Sequence, residues 1–333
     1  MTESTPQHRA VLAPGGVPLA PGERPEPGPI AVLPTAEPSF VAAVEAAGGT
    51  VEPLSDRTRG VVWLSNKDAA AFPPVLEAHP GIGWVQLPFA GVDAFSGIIA
   101  SEDRPGLIWT SAKGAYAQPV AEHALALTLA LLRVLPKRVR ATSWSTLEEG
   151  RSLYGRNVVI IGAGGIALEL MVLLAPFGAR VTIVRRSSEA VPGAERTVGS
   201  DRLLEVLPDA DVVVVAAALT GGTRHLFGDA EFAAMKDTAY LVNIARGGLV
   251  DSDALLRALR AGEIAGAGID VTDPEPLPDG HPLWSEDACL ITPHQADTSE
   301  MVAPLLAERV RANVRAFLGD GDFVGRVDPE LGY

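Results

Sequence analysis

The sequence holds a single cysteine, Cys289, in 333 residues. Within one chain that excludes a disulfide framework and a thiolate metal site, and its place in an apolar run reads as a small core residue. Histidine is scarce too, with six in no cluster, so no metal centre is expected. Positive charge is in deficit. The 27 Lys and Arg face 41 Asp and Glu, for a formal net charge of −14, which argues against nucleic acid or an anionic membrane as partner. Long apolar runs are missing as well. The longest, Pro119–Leu135, is interrupted by Glu122, His123 and Arg133, which does not suit a bilayer span. The N-terminus lacks the positive-then-apolar pattern of a secretory signal, so a cytoplasmic protein is expected. No internal repeat is present.

Six short apolar runs are present in order: Val158–Ile161, Val181–Val184, Val212–Ala216, Tyr240–Ile244, Gly266–Ile269 and Cys289–Ile291. Near-continuous apolar strands without alternation suit a parallel sheet covered by helices on both faces. Ligands of such sheets bind at the carboxyl ends of the strands. Chemistry-bearing residues stand at those ends here, with Arg246, Glu275 and His294 each following a separate run. After the first run comes Gly162-Ala163-Gly164-Gly165-Ile166-Ala167. In a strand–turn–helix context this reads as a dinucleotide-binding turn. The first glycine allows the tight turn, and the second lets backbone approach a pyrophosphate. A small third residue, here Ala167, allows close helix–strand packing. The phosphates would meet the helix N-terminus at Gly164, Gly165 and Ile166.

An NAD-preferring site usually carries Asp or Glu after the second strand to hold the ribose 2′-hydroxyl. This chain has Arg185, Arg186, Ser187 and Ser188. Guanidinium and hydroxyl groups suit a 2′-phosphate, so NADP is the expected cofactor, with NAD the alternative.

Ahead of the large sheet lies a second alternating region: strands Ile30–Leu33, Thr50–Pro53, Gly60–Leu64, Trp84–Leu87 and Leu107–Thr110, with helices Ser39–Ala47 and Asn66–His79. A long helix follows over Pro119–Leu135, with Gln118 as its cap. Its apolar residues suit either a subunit interface or core. A last helix, Ser299–Leu318, could return to the first region. Residues 1–29, rich in Pro and Gly without periodicity, read as a mobile or loosely docked leader. The expected division is therefore 30–115 with 296–333 as a substrate domain, and 116–295 as a dinucleotide-binding domain.

Several segments together resemble the D-isomer-specific 2-hydroxyacid dehydrogenase family. The stretch Leu241–Asp251 resembles its arginine signature, Gly268–Pro276 its glutamate signature and Thr292–Ala296 its histidine signature. Pro119–Leu125 resembles the helix before its nucleotide domain, and Gly91-Val92-Asp93 its substrate loop. The resemblance implies an α/β protein: a Rossmann-type, doubly wound parallel sheet domain inserted in a smaller flavodoxin-like α/β substrate domain, with a cleft between them. It also implies a homodimer and NAD(P)-dependent interconversion of 2-oxo and D-2-hydroxy acids. By position, Arg246 would bind the substrate carboxylate and carbonyl, and His294 would act as general acid/base. Glu275 would hold the imidazole and favour its protonated form. Asp270 would contact the nicotinamide amide, while Ala217, Leu219, Thr223 and Ala245 would touch the cofactor. Ala90 and Gly91 would offer backbone N–H groups to the substrate. His123 reads as a packed structural histidine, and His225 and His281 as outside the chemistry. Trp284 reads equally as a wall of the site or as core.

The chain stops soon after its last helix, so no regulatory C-terminal domain is expected, and the early loops show no basic cluster for a substrate phosphate; both disfavour a phosphoglycerate substrate, and Glu275 disfavours formate. The expected activity is NADPH-dependent reduction of glyoxylate, hydroxypyruvate or a bulkier 2-keto acid. Two other readings stay open at this point. One is a dinucleotide-sensing, corepressor-like relative with little turnover, which would keep the same three residues. The other is a phosphonate or phosphite oxidiser, which would need further cations near Arg246.

Overall fold

The computed structural model describes residue 19, residues 22–102 and residues 106–328. The chain divides into two units, Met1–Ala117 with Ser299–Tyr333, and Gln118–Thr298.

The first unit carries β1 (Ile30–Leu33), α1 (Pro38–Ala46), β2 (Gly60–Trp63), α2 (Pro73–Ala78), β3 (Trp84–Gln86), α3 (Ser96–Ser101) and β4 (Ile108–Thr110). The four strands are parallel in the order β1-β2-β3-β4. Val51 adds a single parallel bridge to Ile30. Counting that bridge as a strand gives the order 2-1-3-4-5 of flavodoxin-like sheets. The expected strand Thr50–Pro53 is thus reduced to one bridge, since Pro53 has no N–H to extend the ladder. The expected helix Asn66–His79 is also shorter. A 3-10 turn at Ala69–Ala71 precedes α2, because Pro73 and Pro74 are tolerated only in a first helical turn. Trp63, Phe72, Leu76, Val85, Phe95 and Trp109 form the core here. Of the expected leader, residues 22–29 are described. Arg24 donates to the carbonyls of Ala316 and Gly321, and Pro25 is buried. The expectation for residues 1–18, 20 and 21 lies outside the described residues.

The second unit opens with α4 (Ala117–Leu132) and α5 (Leu135–Val139). Gln118 therefore lies inside the helix rather than capping it. The expected single helix breaks at Val134, which sits at φ 54, and Pro136 falls in the first turn of α5. Leu127 and Leu131 lie against Gly268, so these apolar residues of α4 are core. Then follow β5 (Asn157–Ile161), α6 (Gly165–Leu174), β6 (Arg180–Arg185), β7 (Arg196–Gly199), α7 (Leu203–Val206), β8 (Val212–Val215), α8 (Asp229–Ala234), β9 (Tyr240–Asn243), α9 (Ser252–Ala261), β10 (Gly266–Ile269) and β11 (Cys289–Ile291). The last helix, α10 (Ser299–Leu318), belongs to the first unit and packs along α1.

The seven strands of the second unit are parallel in the order β11-β10-β9-β8-β5-β6-β7. Strand order reverses between β5 and β8, the point at which open α/β sheets bind ligands. β7 escapes the sequence pattern because Arg196-Thr197-Val198-Gly199 holds one apolar side chain. Val159, Ile161, Val213, Val215, Leu241 and Ile269 are buried in the core of this sheet.

Candidate active site

The turn after β5 has the geometry that a pyrophosphate needs. Gly162 adopts φ 108, and its N–H donates to the Val184 carbonyl at 2.7 Å. A Cβ there would lie 2.6 Å from the Ala216 carbonyl oxygen, so only glycine lets the β5 and β8 loops approach. Gly164 begins α6 without a side-chain cap, and a Cβ on it would meet nothing within 4 Å. The start of α6 thus has room beside Gly164 and no capping side chain, which suits an anion site at a helix N-terminus. Ala167 is fully buried. Gly165 and Ile166 form the first turn of α6. These features fit a dinucleotide.

Across the reversal point, Ala217 and Leu219 pack partly against the sheet core. The Thr223 hydroxyl accepts from Thr220 N–H at 2.8 Å and donates to the Ala218 carbonyl at 2.8 Å, which fastens that loop. Arg185 is the last residue of β6, one beyond the expected end, and lies 4.0 Å from Glu189. Arg186 and Ser187 are exposed beside it.

Arg246 lies just beyond β9. Buried Asn243 brackets its backbone by accepting from Ala245 N–H at 3.1 Å and donating to the Arg246 carbonyl at 3.0 Å. Gly247 then passes so close to the next loop that a Cβ would lie 1.8 Å from the Thr272 carbonyl oxygen. The arginine loop is therefore seated on the loop that leads to Glu275. Ala245 is buried. Glu275 reaches His294, with Oε1 2.6 Å from Nδ1, the separation of a charge-assisted hydrogen bond. Both side chains stay open to solvent, at 55% and 40% exposure for His294 and Glu275, and Nε2 is the ring nitrogen left for a ligand.

His294 sits at φ 52, in the left-handed region that costs a non-glycine residue on the order of 1 kcal/mol. Asp270, at the end of β10 and 2% exposed, holds that turn. Its carbonyl accepts from His294 N–H at 2.6 Å, and its carboxylate accepts from Gln295 N–H at 2.8 Å and Ala296 N–H at 3.1 Å. Thr292 Oγ1 also meets Asp270 Oδ1 at 2.6 Å, and His123 Nε2 lies 2.9 Å from Thr292 Oγ1. Burial alone would raise the Asp270 carboxyl, but the bonds from His123, Thr292 and Gln295 hold it below the ordinary value.

The structure thus gathers Arg246, Asp270, Glu275 and His294 at the ends of β9, β10 and β11, with the glycine turn on the same sheet edge. Ala90 and Gly91 lie in the first unit, in the loop after β3. His225 pairs at the surface with Asp251 and Asp273, at 4.0 Å and 3.6 Å. His281 caps a 3-10 turn. Trp284 is 43% exposed and donates to the Pro278 carbonyl at 3.1 Å, so it is not core. Sequence reading missed Asn243, Gly247 and Thr292. A lone polar residue inside the apolar run Tyr240–Ile244 was the signal for the first.

Residues 125–296 match the family model of the D-isomer-specific 2-hydroxyacid dehydrogenase NAD-binding domain. A glyoxylate reductase of Korarchaeum cryptofilum is 33% identical over 255 residues, 73% of this chain and 75% of that protein. This chain belongs to the D-isomer-specific 2-hydroxyacid dehydrogenases. It is an NAD(P)-dependent oxidoreductase of the 2-oxo acid/2-hydroxy acid couple. Another dehydrogenase of this family, from Xanthobacter autotrophicus Py2, was solved in complex with NADPH and MES. It shares 28% identity and a TM-score of 0.77, covering 92% of this chain and 100% of its own. A protein encoded in the proB 3′ region of Corynebacterium melassecola is 37% identical over 302 residues, 89% of this chain and 96% of its own.

Proposed function

We propose that this dehydrogenase reduces a 2-oxo acid, of the glyoxylate, hydroxypyruvate or bulkier 2-keto acid kind, to the D-2-hydroxy acid with NADPH. The observation that carries the reading is the 2.6 Å pair of His294 Nδ1 and Glu275 Oε1, set beside the Arg246 loop at the ligand-binding edge of the sheet.

Arg246 is the carboxylate clamp. Its guanidinium is planar, always charged and donates in a fork, so it holds the substrate carboxylate and polarises the adjacent carbonyl. Ala90 and Gly91 of the first unit remain the further residues proposed for the substrate. With Nδ1 engaged by Glu275, His294 gives its Nε2 proton to the carbonyl oxygen, and in the reverse direction takes it back. Glu275 keeps the ring oriented and compensates its charge. NAD(P)H, when bound at the Gly162–Ile166 turn, supplies the hydride. Its contacts are proposed at Gly162, Gly164, Gly165, Ile166, Ala217, Leu219, Thr223 and Ala245, with Asp270 toward the nicotinamide amide.

Arg185, Arg186 and Ser187 would take the 2′-phosphate, and no acidic residue stands at 185–188 to reject it. The proposal places the enzyme in the cytoplasm as a homodimer. In support of the dimer, residues 137–152 are exposed throughout and carry three large apolar side chains, Trp144, Val139 and Leu147, exposed by 94%, 77% and 66%, which a partner subunit would cover. The test is oxidation of NADPH and of NADH by the purified protein across 2-oxo acids from glyoxylate to phenylpyruvate. NADPH-linked turnover with at least one acid is expected. Absence of turnover with every acid, despite cofactor binding, would defeat the reading.

A further inference from the structure

The His294 loop is held from two directions, and only one of them is Glu275. The other is a hydrogen-bonded chain that starts on α4. Thr292 has one hydroxyl proton, and Asp270 Oδ1, 2.6 Å away, belongs to a carboxylate that can only accept. The Thr292 proton therefore goes to Asp270. His123 Nε2, 2.9 Å from Thr292 Oγ1, must then be the donor, which fixes His123 with its proton on Nε2. From Asp270 the chain continues into the backbone of the catalytic loop. The two carboxylate oxygens receive Gln295 N–H and Ala296 N–H, and the Asp270 carbonyl receives His294 N–H. The residue so gripped is the one at φ 52, a conformation whose cost, on the order of 1 kcal/mol, these bonds offset.

We propose that His123 and Thr292 are positioning residues for the reaction, acting through Asp270 to hold the His294 backbone in its left-handed turn so that the ring meets both Glu275 and the substrate. His123 is thus more than a packed helix residue. Its Nε2–H donates to the Thr292 hydroxyl and lies 3.5 Å from Asp270 Oδ1, so it backs the hydroxyl donor and also faces the nearly fully buried carboxylate itself. Without that donor the carboxylate is less well compensated, its grip on Gln295 and Ala296 weakens, and the turn relaxes toward ordinary backbone angles. The inference rests on the reading of His294 as the acid/base.

The decisive contrast is between two substitutions at one position. Thr292→Val keeps the branched shape and removes the hydroxyl, whereas Thr292→Ser keeps the hydroxyl and removes the methyl. If the chain positions His294, Thr292→Val lowers kcat for NADPH-linked reduction by about tenfold, the scale of one hydrogen bond to a charged group. Cofactor Kd stays near wild type, Tm falls by a few degrees at most, and Thr292→Ser stays near wild-type kcat. A packing role predicts the opposite order. His123→Met, which removes the donor, should fall with Thr292→Val and provides an independent arm if that variant fails to fold. His294→Gln is run alongside. Full kcat in Thr292→Val and His123→Met, with turnover lost in His294→Gln, overturns the positioning chain alone. Turnover retained in His294→Gln overturns the acid/base reading and the chain together.

Discussion

Three side chains are proposed to divide the chemistry, and each has its own expected signature on substitution. Glu275→Gln keeps the size of the partner but replaces the charge-assisted bond to His294 with a neutral one, so kcat should fall by about tenfold or more while cofactor affinity holds. Steady-state rates with a cofactor titration check this. Arg246→Ala should act chiefly on substrate recognition, raising KM by two orders of magnitude or about that, as expected for the loss of a charged, forked donor. Unchanged KM would remove Arg246 from the carboxylate. Arg185→Asp should move the ratio of kcat/KM for NADPH over NADH toward NADH, because the substituent then repels a 2′-phosphate and can accept from a 2′-hydroxyl. The partial approach of Glu189 to Arg185 makes Glu189→Ala the complementary variant, expected to favour NADPH.

At the scale of elements, close approach of loops matters more than any single bond. A Cβ on Gly247 would overlap the Thr272 carbonyl, so Gly247→Ala must push the Arg246 loop off its seat. Activity should be lost with a measurable drop in Tm, whereas Gly262→Ala, at a site with open space, should alter Tm without touching KM for the 2-oxo acid. The strands and the glycine turn were legible in the sequence because buried parallel strands leave uninterrupted apolar runs, and β5, β9 and β10 follow theirs to within a residue. β7 was not, since a short edge strand with one apolar residue leaves no such run. The break between α4 and α5 depends on a left-handed Val134, which no local pattern signals. The three residues proposed for catalysis, Arg246, Glu275 and His294, were picked out by their motifs. The chain from His123 to Asp270 was not, because it joins residues 147 positions apart that only the fold brings together.

For the whole molecule, acidity carries consequences for stability. Burial pushes the Asp211 carboxyl up, but Asn157 N–H and Lys236 outweigh it and leave it below the ordinary value. A carboxylate depressed in the folded state contributes stability above its unfolded value, near about pH 4, and loses it as pH falls through the folded one. Asp211→Asn should therefore be less stable than wild type at neutral pH and should lose less stability on acidification, read by denaturant melts at two pH values. Cys289, buried and pushed up to about 12 by desolvation, should resist alkylation in the native protein and react on unfolding; rapid native labelling would contradict its placement in the core.

The measurement that bears most directly on the central claim is the initial rate of NADPH oxidation with a responsive 2-oxo acid, compared between wild type and His294→Gln at matched cofactor saturation. A loss of about a hundredfold or more in kcat with cofactor Kd preserved is the predicted result. Equal rates in the two proteins would show that the proton comes from elsewhere, and the role assigned to the Glu275–His294 pair would be wrong.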